Sequence, residues 1–398
     1  MTTSRRPLRR RAVGFTLLEV LIASTLTLVI VALALEFAAT MSLQTRKVEQ
    51  QGDLAARASV ASSFLQSATD SIGYGWNVRQ VVANTANDTD SFGLANCAVP
   101  SVCPATTTLP FQICDPSTVG ANTCAPPTSP STTADALRFF LPRDGVVEAV
   151  RILDRNGTTL PGNCTIATST TFDVKGINAS AWSAGDLVLV ANYGHVSIFT
   201  VNAAFAAGTD PTVTRQLTLN VGNPGDMAND DGGATATCDA SASLKGAGIY
   251  RLRLAALKLN PTTSTLDYGD LVSKNGTFSF TPILADVDDF QVRLDLIHYT
   301  VASGLITASS ICFSDTETVL STAGTIASCG GVRLNSAPSN GDIVRLVGLR
   351  IGLILHSRGG VDVSKSYTGL FDRTATIGTD RRLRRTITLF AGLPNALL

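Results

Sequence analysis

Between Phe15 and Leu35 the chain reads FTLLEVLIASTLTLVIVALAL, 21 residues with one ionisable group, Glu19. Wound as a helix at ~1.5 Å per residue, the run is about 30 Å long, the thickness of a bilayer's hydrocarbon core. A lone carboxylate at that depth costs on the order of 2.5–3.5 kcal/mol on insertion scales. Glu19 therefore needs either a partner or a place near the headgroups. Just ahead of the run stand Arg5, Arg6, Arg9, Arg10 and Arg11, with no acid among the first 14 residues. Such a basic block keeps its end of the chain in the cytoplasm and sends the residues beyond the apolar run to the other side. Residues 15–35 are thus predicted to cross a membrane.

The basic block also changes how the composition reads. The 398 residues hold 31 Lys+Arg and 31 Asp+Glu, a formal net charge of zero. Five of the basic residues lie before Gly14, which leaves 26 against 31 beyond it, a mildly acidic remainder. That balance argues against a polybasic nucleic-acid binder and against an acidic disordered chain. Three separated histidines, His195, His298 and His356, leave little room for a His-built metal centre.

Several kinds of chain carry a basic block and an apolar run. Ala32-Leu33-Ala34 fits a secretory cleavage site, Ser4-Arg5-Arg6-Pro7-Leu8 loosely fits a twin-arginine signal, and a plain single-span anchor needs neither. The residues after the run distinguish them. No proline occurs between Pro7 and Pro100, so a helix can continue past the membrane. Leu54, Ala58, Ala61, Leu65, Ala68 and Ile72 recur at steps of three and four, one stripe of an amphipathic helix, with Asp53, Arg57 and Gln66 off it. A cleaved signal gives no reason for that continuation. The pattern predicts one helix over 15–72, about 87 Å long, ended by Gly73 and Gly75, with Gly52 as a candidate bend.

Residues 73–135 are rich in Thr, Ser, Pro and Ala, show no period, and are predicted to be an irregular insertion. They hold Cys97, Cys103, Cys114 and Cys124; Cys164, Cys238, Cys312 and Cys329 lie further along the chain. All eight lie on the side that topology places outside the cytoplasm, where an even count suggests up to four disulfides. Cys97–Cys103, Cys114–Cys124 and Cys312–Cys329 are local pairings among about 105 connectivities. No CxxC occurs, which disfavours zinc.

From Ala136 to the C-terminus, residues 136–398, the chain reads as β. Candidate strands are 136–141, 146–153, 187–191, 195–201, 216–221, 249–259, 289–297, 343–356 and 385–391, separated by turn pairs such as Asn156-Gly157, Gly225-Asp226 and Asn275-Gly276. Strand after strand implies antiparallel pairing. The expected fold class is α+β: a long N-terminal helix, half in the membrane and half amphipathic, packed on a large antiparallel β head. No P-loop, G-x-S-x-G, H-E-x-x-H or dinucleotide fingerprint occurs, so no enzyme activity and no cofactor are expected. Asp226, Asn229, Asp230 and Asp231 before Gly232-Gly233 miss the calcium-loop spacing and read as a solvated acidic turn. Asp286, Asp288 and Asp289 read as a strand edge facing solvent or Arg293, and Arg381–Arg385 as a basic edge guard. Trp76 and Trp182 read as core or loop anchors.

The segment Arg9-Arg10-Arg11-Ala12-Val13-Gly14, continuing into Phe15-Thr16-Leu17-Leu18-Glu19-Val20-Leu21-Ile22-Ala23, resembles the class III signal of type IV pilins. The resemblance implies cleavage of leader 1–14 by a prepilin peptidase after Gly14, N-methylation of Phe15, and pairing of Glu19 with the amino terminus of a neighbouring subunit. Later stretches are similar to PilW-type minor pilins: Gly185–Val190, Ile198–Val201, Ile283–Arg293, Ile343–Leu355 and Arg381–Leu389. The sequence departs from that pattern at Phe390-Ala391-Gly392, where Leu-Arg-Asn is usual. The family implies a structural subunit that primes pilus assembly at or near the fibre tip. Its implied partners are other minor pilins, the major pilin, an inner-membrane assembly platform and a tip adhesin, with no nucleic acid. The implied location is a bacterial inner membrane with the head in the periplasm, and then the extracellular pilus. A type II secretion pseudopilin shares every N-terminal feature, and a membrane-anchored periplasmic binding protein is the remaining alternative.

Overall fold

The computed structural model describes residues 16–72, 111–114, 134–143, 150–155, 169–176, 182–191, 196–203, 214–220, 248–271, 279–302, 305–314, 342–360, 367–371, 376–377 and 380–392. Helix α1 (Leu17–Thr69) runs 53 residues without a break. Thr16 caps it, its hydroxyl accepting from the Glu19 backbone N–H while the Glu19 carboxylate reaches back to the Thr16 N–H. This reciprocal arrangement satisfies two donors at the helix start. At the other end the Asp70 N–H donates to the Gln66 carbonyl at 2.8 Å. The helix therefore stops before the predicted 72, and the glycines expected to end it lie outside the described residues. Leu54, Ala58, Ala61 and Leu65 are buried, as the stripe predicted, and Ala68 is half-buried. Thr69 is buried at the end of the stripe, its hydroxyl donating to the Leu65 carbonyl at 2.7 Å.

Sixteen strands are described: β1 (Phe111–Cys114), β2 (Ala136–Pro142), β3 (Val150–Arg155), β4 (Ser169–Gly176), β5 (Leu187–Ala191), β6 (Val196–Val201), β7 (Arg215–Asn220) and β8 (Gly248–Asn260). They continue with β9 (Thr265–Leu271), β10 (Ser279–Ala285), β11 (Val287–Ala302), β12 (Leu305–Ser314), β13 (Asp342–Gly360), β14 (Tyr367–Thr368), β15 (Thr376–Ile377) and β16 (Arg382–Gly392). The described pairings are antiparallel, so the chain is an α+β protein of the predicted kind. In the larger sheet the first half of β8 pairs with β3 on one side and β5 on the other. The order β8-β3-β4-β7-β6-β5 returns to β8 and closes a ring. Closure removes open edges, which matters for strands as short as five or six residues. The second half of β8 leaves the ring and carries β2 and β9, with β1 and β10 outside them.

The second sheet has the order β12-β11-β13-β16. Its inward face is written in the sequence with period two: Phe290, Val292, Leu294 and Leu296 on β11, and Leu349, Ile351, Leu353 and Leu355 on β13. Helix α1 lies against β13 and β16, and its stripe joins these side chains in one core with Phe111, Ile113, Leu137, Phe139, Ala255, Leu257 and Leu266 of the first sheet. Asp135 pins the two sheets together: its N–H donates to the Phe290 carbonyl at 2.9 Å, and its carboxylate accepts from the Val292 N–H at 2.7 Å.

Two expectations need correction. The stretch 73–135 is not wholly irregular, because β1 lies in it and pairs with β2 from Phe111↔Phe139 to Cys114↔Ala136. Strands β4, β9, β10 and β12 are also missing from the strands that apolar patterning predicts. Their Ser, Thr, Asp and Gly content dilutes the apolar alternation, and pairing with stronger neighbours supplies what their own composition does not. The turn pairs at 156–157, 225–226 and 275–276 lie outside the described residues.

Candidate functional site

Two places on α1 combine charge with unusual surroundings. The first is its N-terminal end. Residues 17–46 are all exposed, including Leu17, Leu28, Leu35 and Phe37, so the most apolar part of the chain is left uncovered by the described residues of the head. Among the described residues this is the helix long and apolar enough to cross a membrane. Its hydroxyls are turned inward on the helix itself. Ser24 donates to the Leu21 carbonyl at 2.9 Å, Thr25 to Ile22 at 2.9 Å and Thr27 to Ala23 at 2.7 Å. Polar groups satisfied in this way lower the cost of placing the segment in an apolar medium.

Glu19 is the exception. One carboxylate oxygen accepts from the Thr16 N–H at 3.0 Å and from the Thr16 hydroxyl at 3.1 Å. The side chain is otherwise exposed. The first turn therefore presents a carboxylate that Thr16 holds in place and that meets no cation among the described residues. A cation brought to it in a low-dielectric setting would be attracted strongly, and each charge would relieve the other's desolvation. Gly14 and Phe15, the predicted cleavage and methylation positions, lie outside the described residues.

The second place is the junction with the head, which the sequence did not reveal. Arg57, on the helix flank beside the apolar stripe, pairs with Asp286 at the corner between β10 and β11. The same guanidinium donates to the His356 carbonyl on β13 at 2.5 Å, and lies 3.3 Å from Asp53 one turn back. Asp286 has φ 61, in the left-handed region that Asp enters more readily than most residues. Its carbonyl accepts from the His356 N–H at 2.9 Å, which sets the corner against β13. Arg358 adds a second cation at 3.1 Å.

Behind the corner the network continues across three strands. Asp288 lies 2.9 Å from Nδ1 of buried His356 and 2.6 Å from Nε of Arg384 on β16. Arg384 also reaches Asp380 at 2.7 Å and stacks 4.8 Å from the Tyr367 ring centroid. Arg382 approaches His356 Nε2 at 2.7 Å. Burial pushes the Asp288 carboxyl up, but His356 and Arg384 outweigh it and hold the group below the usual aspartate range. Burial likewise raises Asp286, and Arg358, Arg57 and His356 together bring it below that range.

These positions overturn the reading of Asp286, Asp288 and Asp289 as a solvent-facing strand edge. β11 is an interior strand, and Asp289 is fully buried, accepting from Gln291 Nε2 at 3.1 Å and the Leu370 N–H at 3.2 Å. Arg293 lies 4.6 Å from both the Phe313 and the Phe371 ring and 3.4 Å from Asp295. The basic run 381–385 does sit on the outer strand of its sheet, yet the Arg384 side chain is only 3 % exposed and is neutralised inside the network. A sequence signal for this existed: three acids around one apolar residue at Asp286–Asp289, and a run of arginines, are each too much like charge for a free strand.

Of the eight predicted disulfide cysteines, Cys312 is bonded and buried on β12; Cys114 falls on β1. The other six, Cys97, Cys103, Cys124, Cys164, Cys238 and Cys329, lie outside the described residues, as do the acidic turn 226–231 and Trp76. Among the described residues no cluster of three metal-ligating side chains occurs. Trp182 is buried, with the Arg251 guanidinium 5.7 Å from its ring centroid, and acts as a core anchor as predicted.

The chain matches no protein-family model, and no curated protein matches it by sequence. Among solved structures it is similar to a type IV-like pilin from Thermus thermophilus, with 12 % identity over 54 % of this chain and 86 % of that one, and a TM-score of 0.20. So slight a likeness transfers no residue's role from one protein to the other.

Proposed function

We propose that this chain is a structural subunit of pilin type, and more narrowly a minor pilin that primes type IV pilus assembly at or near the fibre tip. The observation that carries the reading is the division of α1. One half is apolar, exposed and self-satisfied in its hydroxyls, and the other half is fastened to a β head. A helix that served only as a leash would need no such fastening. A helix that must move from lipid into a bundle of like helices needs both an apolar surface free of the head and a head that travels with it. In this reading leader 1–14 orients insertion and cleavage after Gly14 frees Phe15. Glu19 then sets register by pairing with the amino terminus of a neighbouring subunit in the fibre. The head is carried outside the inner membrane and meets other minor pilins, the major pilin and a tip adhesin.

The mature N-terminus tests the class. Mass spectrometry should find methyl-Phe15; a chain beginning at Leu35 would mean a released protein, and one beginning at Met1 a plain anchor. Glu19→Ala tests the mechanism. Insertion and processing should be unchanged, while the amount recovered in sheared fibres falls to a small fraction of wild type. Normal recovery would remove Glu19 from the assembly step. If the chain appears only in complexes that depend on a type II secretion platform, the pseudopilin alternative takes the place of the pilus.

A further inference from the structure

The whole of α1 contains one glycine, Gly52, and no proline. Packing does not require it: a Cβ built at Gly52 meets nothing within 4 Å. A glycine in a helix interior lowers helix stability relative to alanine through the freedom its backbone keeps. Its position is therefore the informative part. No residue of α1 before Leu54 is buried, and from Leu54 onward the stripe enters the core. One turn past Gly52, Arg57 is held by Asp286 and by the His356 carbonyl. Just before it, Gln50 lays its amide over Gly359, so closely that a Cβ on that glycine would lie 2.5 Å from Nε2. The weakest residue of the helix thus stands between a peripheral polar contact and a charged clasp.

We propose that Gly52 is a hinge in α1, and that Arg57 clasped on Asp286 marks where bending stops. Local opening at Gly52 lets the apolar half change its angle to the head at the cost of peripheral contacts such as that of Gln50 on Gly359. The clasp keeps Leu54–Thr69 seated while this happens. Asp286 suits the role because its corner is fixed from two other sides, by Arg358 and by its backbone bond to His356. The hinge needs no assumption about what the apolar half enters, so it goes beyond the pilin reading and can fail or stand without it.

The test is amide hydrogen exchange on the full-length protein in lipid nanodiscs, read by mass spectrometry for residues 46–53 and 58–69. Residues 46–53 lie beyond the apolar run and so exchange from water. In the wild type they should exchange faster than 58–69. Gly52→Ala, which places a methyl group in open space, should slow 46–53 by about five-fold and leave 58–69 unchanged. Arg57→Gln should do the opposite and extend fast exchange through 54–60. Asp286→Asn, which retains a side chain tolerant of the left-handed conformation, should reproduce that effect if Arg57→Gln folds poorly. Equal protection of 46–53 and 58–69 in the wild type would overturn the hinge. So would no change at 46–53 in Gly52→Ala. Unchanged exchange at 54–60 in both clasp variants would overturn the clasp.

Discussion

The two halves of α1 have the same backbone and opposite surroundings. From Leu17 to Leu35 apolar side chains point outward on every side and all stand exposed, whereas from Leu54 to Thr69 only one stripe is apolar and that stripe is covered. A helix apolar all round is suited to lipid or to a bundle, and a helix apolar on one side is suited to a sheet. The contrast shows that one element can be stabilised by two unrelated means along its length. The first half depends on an environment that the chain does not itself supply. The second depends on side chains of β13 and β16 and on the ion pair at Asp286.

The sharpest way to break the contrast is to make the same truncation in both halves. Leu65 is 1 % exposed in the shared core, and Leu28 is 72 % exposed. Leu65→Ala should cost about 3 kcal/mol of head stability, because the transfer energy of the removed atoms is lost and a cavity remains. Leu28→Ala should change head stability by less than about 0.5 kcal/mol. Urea denaturation of the detergent-solubilised protein, monitored through head tryptophan fluorescence, measures both. Equal losses would mean that the first half also leans on the head.

Arg57 gives the next largest effect. Arg57→Met keeps the length of the side chain and removes its charge, leaving Asp286 to Arg358 and His356. Asp286 keeps about a quarter of its side chain in water, so the cost falls below that of a fully buried broken pair, at about 1–2 kcal/mol. The double variant with Asp286→Asn should recover part of it, which a purely steric role for Arg57 would not allow.

Legibility divides along the same line. The apolar run, the stripe from Leu54 to Leu65 and the alternation of β11 and β13 could be read because each has a period set by local geometry and one dominant face. The Arg57 junction could not. Its partners are 229 and 299 residues away in sequence, and an arginine beside an apolar stripe looks the same whether it meets water or an aspartate. The acids at 286–289 misled for a related reason. Charge suggests solvent when a strand is judged alone, and only the pairing order β12-β11-β13-β16 puts that strand inside the sheet. Glu19 stood out in the sequence because an apolar context makes a single acid conspicuous, and the structure adds its reciprocal cap with Thr16; its part in assembly is a proposal.

Acid titration gives the smallest of the three effects and bears on only one half of the helix. Asp286, Asp288 and Asp380 are all held below the usual aspartate range, Asp380 chiefly by its hydrogen bond from Arg384. A carboxyl lowered in the folded state contributes stability that is complete above its unfolded pKa of about 3.9 and disappears as pH falls through the folded value. The melting temperature of the head should therefore hold steady on going from pH 7 to about pH 5 as far as these groups decide it, and then fall toward pH 2. Because the network joins α1 to β13 and β16, exchange at 54–60 should rise over the same interval, while residues 17–35 in lipid keep their protection. Arg384→Gln should flatten the acid limb, since it leaves Asp288 and Asp380 less depressed. An acid limb of unchanged depth in that variant would place the pH dependence elsewhere than at this junction.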